Sequence, residues 1–185
     1  MTIVTEKTAL IVIDVQEGFN EPNYWGKRNN PDAEHNMAQL LWEWRKKQRP
    51  IYHIQHMSTN PRSPLRPDHA GNAIKKVVAP LKDEIVIQKT VNSAFIGTDL
   101  EARLRDIGAE SVVIVGLTTN HCVETSARMA GNLGFKTMVV SDATATFDRI
   151  GHDGTHYPAE TVHALSLANL NGEFATIVTT SQLLE

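Results

Sequence analysis

Asp14, Lys89 and Cys122 are the side chains of this sequence whose types and places together suggest covalent chemistry. Each stands where a short apolar run ends. Asp14 lies within Ile13-Asp14-Val15-Gln16-Glu17-Gly18-Phe19, Lys89 within Ile87-Gln88-Lys89-Thr90, and Cys122 follows Gly116-Leu117-Thr118-Thr119-Asn120-His121. A thiol becomes a strong nucleophile on losing its proton, and a carboxylate can take that proton. An ammonium nearby favours both anions. Cys122 is expected in the first turn of a helix, where the positive helix end lowers a thiol pKa and favours thiolate. Singly, each residue has an ordinary explanation: a lone Cys packs as a small hydrophobe, an Asp caps a turn, a Lys is solvated. Their joint occurrence at strand ends favours a site. No GxSxG elbow is present, so a serine hydrolase has no support.

The elements that must position them are short and regular. Apolar runs at Ala9–Ile13, Ile51–Ile54, Ile85–Ile87, Val112–Val115, Met138–Val140 and Ala175–Val178 are mostly β-branched and continuous. That pattern predicts strands buried on both faces of a parallel sheet. Helical patterns lie between several of them. Met37, Leu40, Leu41 and Trp44 form a core-facing stripe in Asp32–Gln48, which Pro50 stops. Thr98 is the expected N-cap of a helix carrying Leu100, Leu104 and Ile107, with Gly108 as its stop. A small-residue helix is expected from His121 to Leu133, and another after Pro158 with Val162, Leu165 and Ala168 on one face. Alternating strands and helices predict a doubly wound α/β sheet, whose ligands bind beyond the carboxyl ends of the strands. The stretches 21–30, 58–71 and 142–157 read as irregular, and no repeat or linker divides residues 1–185, so one domain is expected.

Composition narrows the function. Of 185 residues, 41% are hydrophobic and 21% charged, as in a soluble globular protein, and the net charge of −3 offers no footprint for nucleic acid. One cysteine excludes an internal disulfide or a multi-thiolate metal cage. The N-terminus lacks a signal-peptide layout and no run is long enough to span a bilayer, so no membrane partner is expected and the location expected is cytoplasmic.

On these residues the chain resembles the isochorismatase-like cysteine hydrolases, a family that includes nicotinamidases and N-carbamoylsarcosine amidohydrolase. Matching segments run in order along nearly the whole chain: Asp14-Val15-Gln16, Lys89 with Ser93-Ala94-Phe95, Gly116 to Val123, and Ser141-Asp142-Ala143. The resemblance implies a three-layer α/β/α sandwich around a six-stranded parallel sheet, in agreement with the pattern of runs. It also implies an Asp14-Lys89-Cys122 triad that cleaves a C–N bond of a small molecule through a thioester. The oxyanion hole would come from the backbone N–H groups of Thr118 and Cys122, with a cis peptide between Leu117 and Thr118. Relatives are usually homo-oligomers, so a dimer or tetramer is expected.

Rival readings differ in the chemistry they need. Nicotinamidases of the family carry an Asp-x-His and further histidines after strand two, whereas this chain reads Tyr52-His53-Ile54-Gln55-His56. His53 and His56 are three apart, so on a strand they face opposite sides. No metal and no other cofactor is therefore expected. Vinyl ether hydrolysis, the isochorismatase reaction itself, does not need the thiol, so the presence of Cys122 favours amidase chemistry. A non-catalytic small-molecule binder is disfavoured by the intact triad. Candidates for the substrate wall are Phe19, Trp25, His56, His121 and Tyr157, with Tyr24 beside them. Arg62 and Arg66 read as solvated charges, and the Trp42/Trp44 pair as core or interface packing.

Overall fold

The computed structural model describes residues 4–184; Met1–Ile3 of the N-terminal segment and Glu185 lie outside it. In chain order the elements are β1 (Ala9–Ile13), α1 (Pro22–Trp25), α2 (Ala33–Lys46), β2 (Ile51–His56), β3 (Ile85–Lys89), α3 (Leu100–Asp106) and β4 (Ser111–Leu117). There follow α4 (Glu124–Asn132), β5 (Lys136–Ala145), β6 (Arg149–Ile150), β7 (His156–Tyr157), α5 (Ala159–Leu170), β8 (Thr176–Val178) and α6 (Thr180–Leu184). Six strands form one sheet in the order β3-β2-β1-β4-β5-β8, every pair parallel. All six apolar runs of the sequence lie in it, except that Ala175 stands just before β8.

Side-chain alternation along each buried strand divides the core into two layers. Leu10 and Val12 of β1 pack with Met37, Leu40, Leu41 and Trp44 of α2 and Leu183 of α6. Ala9, Ile11 and Ile13 pack with Leu100 and Leu104 of α3, Ala127 and Ala130 of α4, and Leu167 and Leu170 of α5. The result is the expected three-layer α/β/α sandwich. Trp44 is fully buried and donates its indole N–H to the Thr8 carbonyl (3.0 Å), whereas Trp42 is exposed.

Several local expectations need correction. The helix expected from His121 begins instead as a π-turn over Thr119–Val123 and becomes α-helical at Glu124. Asp99, not Thr98, occupies the N-cap position of α3; Thr98 instead donates its hydroxyl to the Ala94 carbonyl (2.6 Å). On α5 the expected face is wrong. Leu165 and Ala168 are exposed and Val162 is half-buried, while Ala159, Ser166, Leu167 and Leu170 are buried. Apolar residues surround that helix on all sides, so spacing alone does not single out a face. The stretch 142–157 is not irregular throughout: β5 runs on to Ala145, and β6 and β7 form a short antiparallel pair, Arg149 opposite Tyr157.

Candidate active site

The crossover order puts β1 between β2 and β4, with β3 next to β2, so the carboxyl ends of all four lie side by side. His56 at the end of β2 is the register partner of Lys89 at the end of β3, and Ile13 at the end of β1 that of Gly116. Gly116 is required there. Its φ is +126°, and a Cβ at this position would lie 2.1 Å from the Ile13 carbonyl oxygen. The pairing of β4 with β5 shifts register between Ile114 and Gly116, and the Leu117–Thr118 peptide bond that follows is cis. Asp14, directly after β1, has φ +52°, a left-handed conformation that Asp tolerates better than most residues.

Lys89 is the hub. Its ammonium donates to Asp14 Oδ2 (2.6 Å), His56 Nδ1 (3.1 Å) and Cys122 Sγ (3.3 Å). These use its three N–H donors. The Asp14 and Lys89 side chains are 1% and 0% exposed, and breaking so buried an ion pair by removing one partner costs about 3–5 kcal/mol. Asp14 Oδ1 is buried with no hydrogen-bond partner in the described structure, which leaves it free to accept a proton.

Burial first, and then the Asp14 carboxylate, push the Cys122 thiol well above its ordinary pKa, against the opposing pull of Lys89. The sequence expectation is a thiolate favoured by the helix end; burial and the Asp14 carboxylate act against it. Desolvation and the neighbouring anion raise the thiol pKa by more than the ammonium lowers it. A chemical step then needs Asp14 as an active base.

Asp14, His56 and Cys122 offer ligand atoms within 4.8 Å of one another, a cluster of the kind that can hold a metal ion. Lys89 donates to all three, so the cation of this cluster is the ammonium, and a metal does not fit without displacing it. His53 points the other way. It is buried and bonds Glu84 (2.9 Å) through Nε2, on the face opposite His56.

His56 sits at the centre of a clamp whose role was not legible from the sequence. The Gln16 amide accepts from the His56 N–H (2.9 Å) and donates to the His56 carbonyl (3.1 Å) and the Asn72 carbonyl (2.8 Å). Asn72 Nδ2 also donates to the His56 carbonyl (2.9 Å). Burial, then the Lys89 charge, lower the His56 pKa, so the ring is neutral and accepts from Lys89. On the other side, Thr119 Oγ1 bonds His163 Nδ1 of α5 (2.8 Å), and Ser126 Oγ accepts from the Ala94 N–H (3.0 Å). These tie the π-turn to α5 and the Ser93-Ala94-Phe95 segment to α4.

The expected lining residues divide. His56 meets the triad directly, and His121 adjoins Cys122 and bonds Arg149 Nη2 through Nδ1 (3.2 Å). Phe19, Trp25 and Phe147 form one aromatic group, with Phe19 to Trp25 at 4.7 Å and Trp25 to Phe147 at 5.6 Å between ring centroids. Phe19 is buried in the core, so Trp25, half-buried, is the member with surface to offer a ligand. Tyr24 and Tyr157 are exposed. Asp142 caps α6, accepting from the Thr180 N–H (2.8 Å) and hydroxyl (2.9 Å), and takes no part in the triad. Arg66 pairs with Asp68. Arg149 had no signal in the sequence, because nothing in its neighbours indicates that the chain returns there to the nucleophile.

The sequence and the fold match a known family. Residues 8–182 match the isochorismatase domain model. The chain belongs to the isochorismatase family of hydrolases. It is 51% identical over 179 residues to the uncharacterised isochorismatase family protein YrdC of Bacillus subtilis, covering 97% of this chain and 95% of that one. It is 28% identical to nicotinamidase 3 of Arabidopsis thaliana, over 95% and 86% of the two chains. A solved isochorismatase-family structure from Chromobacterium violaceum superposes with a TM-score of 0.95 at 43% identity, covering 100% of this chain and 95% of that one. No helix among the described residues is long and apolar enough to cross a membrane.

Proposed function

We propose that this isochorismatase-family hydrolase cleaves a C–N bond of a small amide, carbamoyl or ureido compound, with Cys122 as nucleophile. The observation that carries the reading is the Lys89 tripod, which sets Asp14, His56 and Cys122 around one buried ammonium. Asp14 Oδ1 takes the thiol proton as Sγ attacks the substrate carbonyl carbon. Lys89 remains charged and balances the anions formed on either side. The backbone N–H groups of Thr118 and Cys122 receive the developing oxyanion, where preorganised donors stabilise charge best. Collapse breaks the C–N bond, and Asp14 returns its proton to the departing amine. Water, deprotonated by Asp14, then attacks the thioester, releases the acid and restores the thiol.

Similarity to a nicotinamidase supports amide chemistry, and retention of the thiol supports a covalent route over vinyl ether hydrolysis. The test is ammonia release across a panel of small amides and ureido compounds, wild type against Cys122→Ala. Turnover by the wild type and its loss in the variant are expected; an equal rate in both removes the covalent mechanism.

A further inference from the structure

The π-turn that carries Cys122 has no side-chain cap of its own. The His121 and Val123 N–H groups donate to the Thr118 carbonyl (3.1 and 3.3 Å), while the Thr118 hydroxyl is buried without a partner among the described residues. Such a turn lacks the regular ladder of an α-helix, so its shape depends on what grips it from outside. Two of its side chains are gripped. Thr119 Oγ1 bonds His163 Nδ1 of α5 (2.8 Å), and Asn120 Oδ1 accepts from the Thr146 hydroxyl (2.5 Å). Thr119 and Thr146 are fully buried and His163 is half-buried.

His163 is itself held. Burial lowers its pKa, so the ring is neutral, and the ring donates to the Ser141 carbonyl. A neutral imidazole carries one proton, so Nδ1 is left to accept from the Thr119 hydroxyl. Asn30 Nδ2, 3.4 Å from His163 Nε2, donates to the same Ser141 carbonyl (3.0 Å) and to the Thr144 carbonyl (2.8 Å). Asn29 accepts from the Thr146 N–H (2.7 Å) and donates its own N–H to the Thr146 carbonyl (3.1 Å). Residues 29–30, 141–146 and α5 therefore converge on Thr119 and Asn120. His163 bonds none of Asp14, Lys89 and Cys122 among the described residues. Thr119 stands in the chain between Thr118 and Cys122, whose N–H groups would receive the oxyanion.

We propose that His163 is a positioning residue for the oxyanion hole: through Thr119 it fixes the turn from which the Thr118 and Cys122 N–H groups point. The two donors rest on the function proposed above; the anchoring of the turn by His163 does not. Preorganised donors act only when aimed at the developing charge, and a misplacement of about 1 Å can slow a reaction by about 100-fold.

The test separates oxyanion binding from thiol reactivity. A small aldehyde, propanal, adds reversibly to Cys122: the S–C bond forms, the C=O π pair moves to oxygen, and the thiol proton passes by way of Asp14 to that oxygen. The adduct holds its oxygen where the oxyanion of hydrolysis would sit. Alkylation by iodoacetamide displaces iodide and forms no oxyanion. Intact mass therefore reads both, as the alkylation rate of Cys122 and as its protection by propanal. His163→Leu, which fills the space without an acceptor, is expected to weaken protection by about 10-fold or more and to leave the unprotected alkylation rate within about 2-fold. His163→Asn, whose Oδ1 takes the place of Nδ1, is expected to restore most of the protection. Thr119→Val removes the same hydrogen bond from its other end and should match His163→Leu, so the comparison stands if one variant fails to fold. The double variant should be no worse than either single one. No protection of the wild type by propanal, protection unchanged in both folded single variants, or better rescue by Leu than by Asn overturns the proposal. Ammonia release separates the two claims. Weakened protection in the variants with no release from any amide by the wild type would leave the positioning role and remove the amidohydrolase. Release by the wild type, with kcat, KM and protection all unchanged in His163→Leu, would do the reverse.

Discussion

Replacing Asp14 by Asn is expected to move two properties of Cys122 in opposite directions. In the wild type the Asp14 carboxylate raises the thiol pKa and Lys89 lowers it, so removing the carboxylate leaves only the lowering charge. Ligand atoms of Asp14 and Cys122 lie within 4.8 Å, where two unit charges at an effective dielectric near 20 interact by about 3 kcal/mol. That corresponds to a drop of about 2 pK units and a thiolate fraction about 100-fold higher. A less basic thiolate is a poorer nucleophile, with a Brønsted slope near 0.4–0.5, which cuts the net gain to about 10-fold. Iodoacetamide should therefore alkylate Cys122 faster in Asp14→Asn. The chain has one cysteine, so intact mass reads the modification without ambiguity. Hydrolysis should fall instead, by about 100- to 10,000-fold, because the group that accepts and returns the proton is gone. The Asn side chain retains an oxygen for the Lys89 ammonium, and a melting curve checks that the fold persists. If alkylation and hydrolysis slow together in a folded variant, Asp14 activates the resting thiol rather than restraining it, and the reasoning fails.

Other perturbations follow from the same contacts. Gly116→Ala places a Cβ 2.1 Å from the Ile13 carbonyl at a φ of +126°, so thermal melts should show a loss of more than about 3 kcal/mol, and an unchanged midpoint would contradict the close approach. Gln16→Ala should lower kcat by about 10-fold or more, because it frees the backbone of His56; retention of full kcat would show that the clamp is only structural. Burial alone would raise the pKa of Glu34 and Glu84, but hydrogen bonds from Arg28 and Lys75, and from Arg45, the Leu81 N–H and His53, hold each at about 2 against an ordinary 4.5. Their folded values are depressed, so the stability they lend is complete above about pH 4.5 and is lost as the pH falls through about 2, a contribution of about 2 kcal/mol each once solvent screening is discounted. Glu34→Gln should flatten the acid limb of a urea-midpoint profile, and a limb parallel to that of the wild type would refute the assignment.

The sheet was legible because both faces of its strands are covered. Runs such as Leu10-Ile11-Val12 and Val113-Ile114-Val115 need no alternation when helices lie on each side. The triad was legible for a related reason. Asp14, Lys89 and Cys122 are polar or reactive residues placed immediately where such runs stop, and a parallel sheet gathers those ends. What escaped depends on distances between segments far apart in sequence. Arg149 reaches His121 only because β6 folds back after β5, and Gln16 grips His56 across 40 positions. The upward push on the Cys122 thiol pKa escaped for an energetic reason: the helix-end effect can be read locally, whereas burial and the nearness of Asp14 cannot. The π-turn carries no residue signature of its own, and the apolar residues around α5 disguised its buried face.

Covalent hydrolysis through Cys122 is most directly tested by the mass of the intact protein, quenched within milliseconds to seconds of mixing with its best amide substrate. The account predicts a transient increase equal to the acyl group, located on Cys122, forming with the first burst of ammonia and absent in Cys122→Ala. Steady ammonia release with no adduct at any time, together with full turnover by Cys122→Ala, would contradict it.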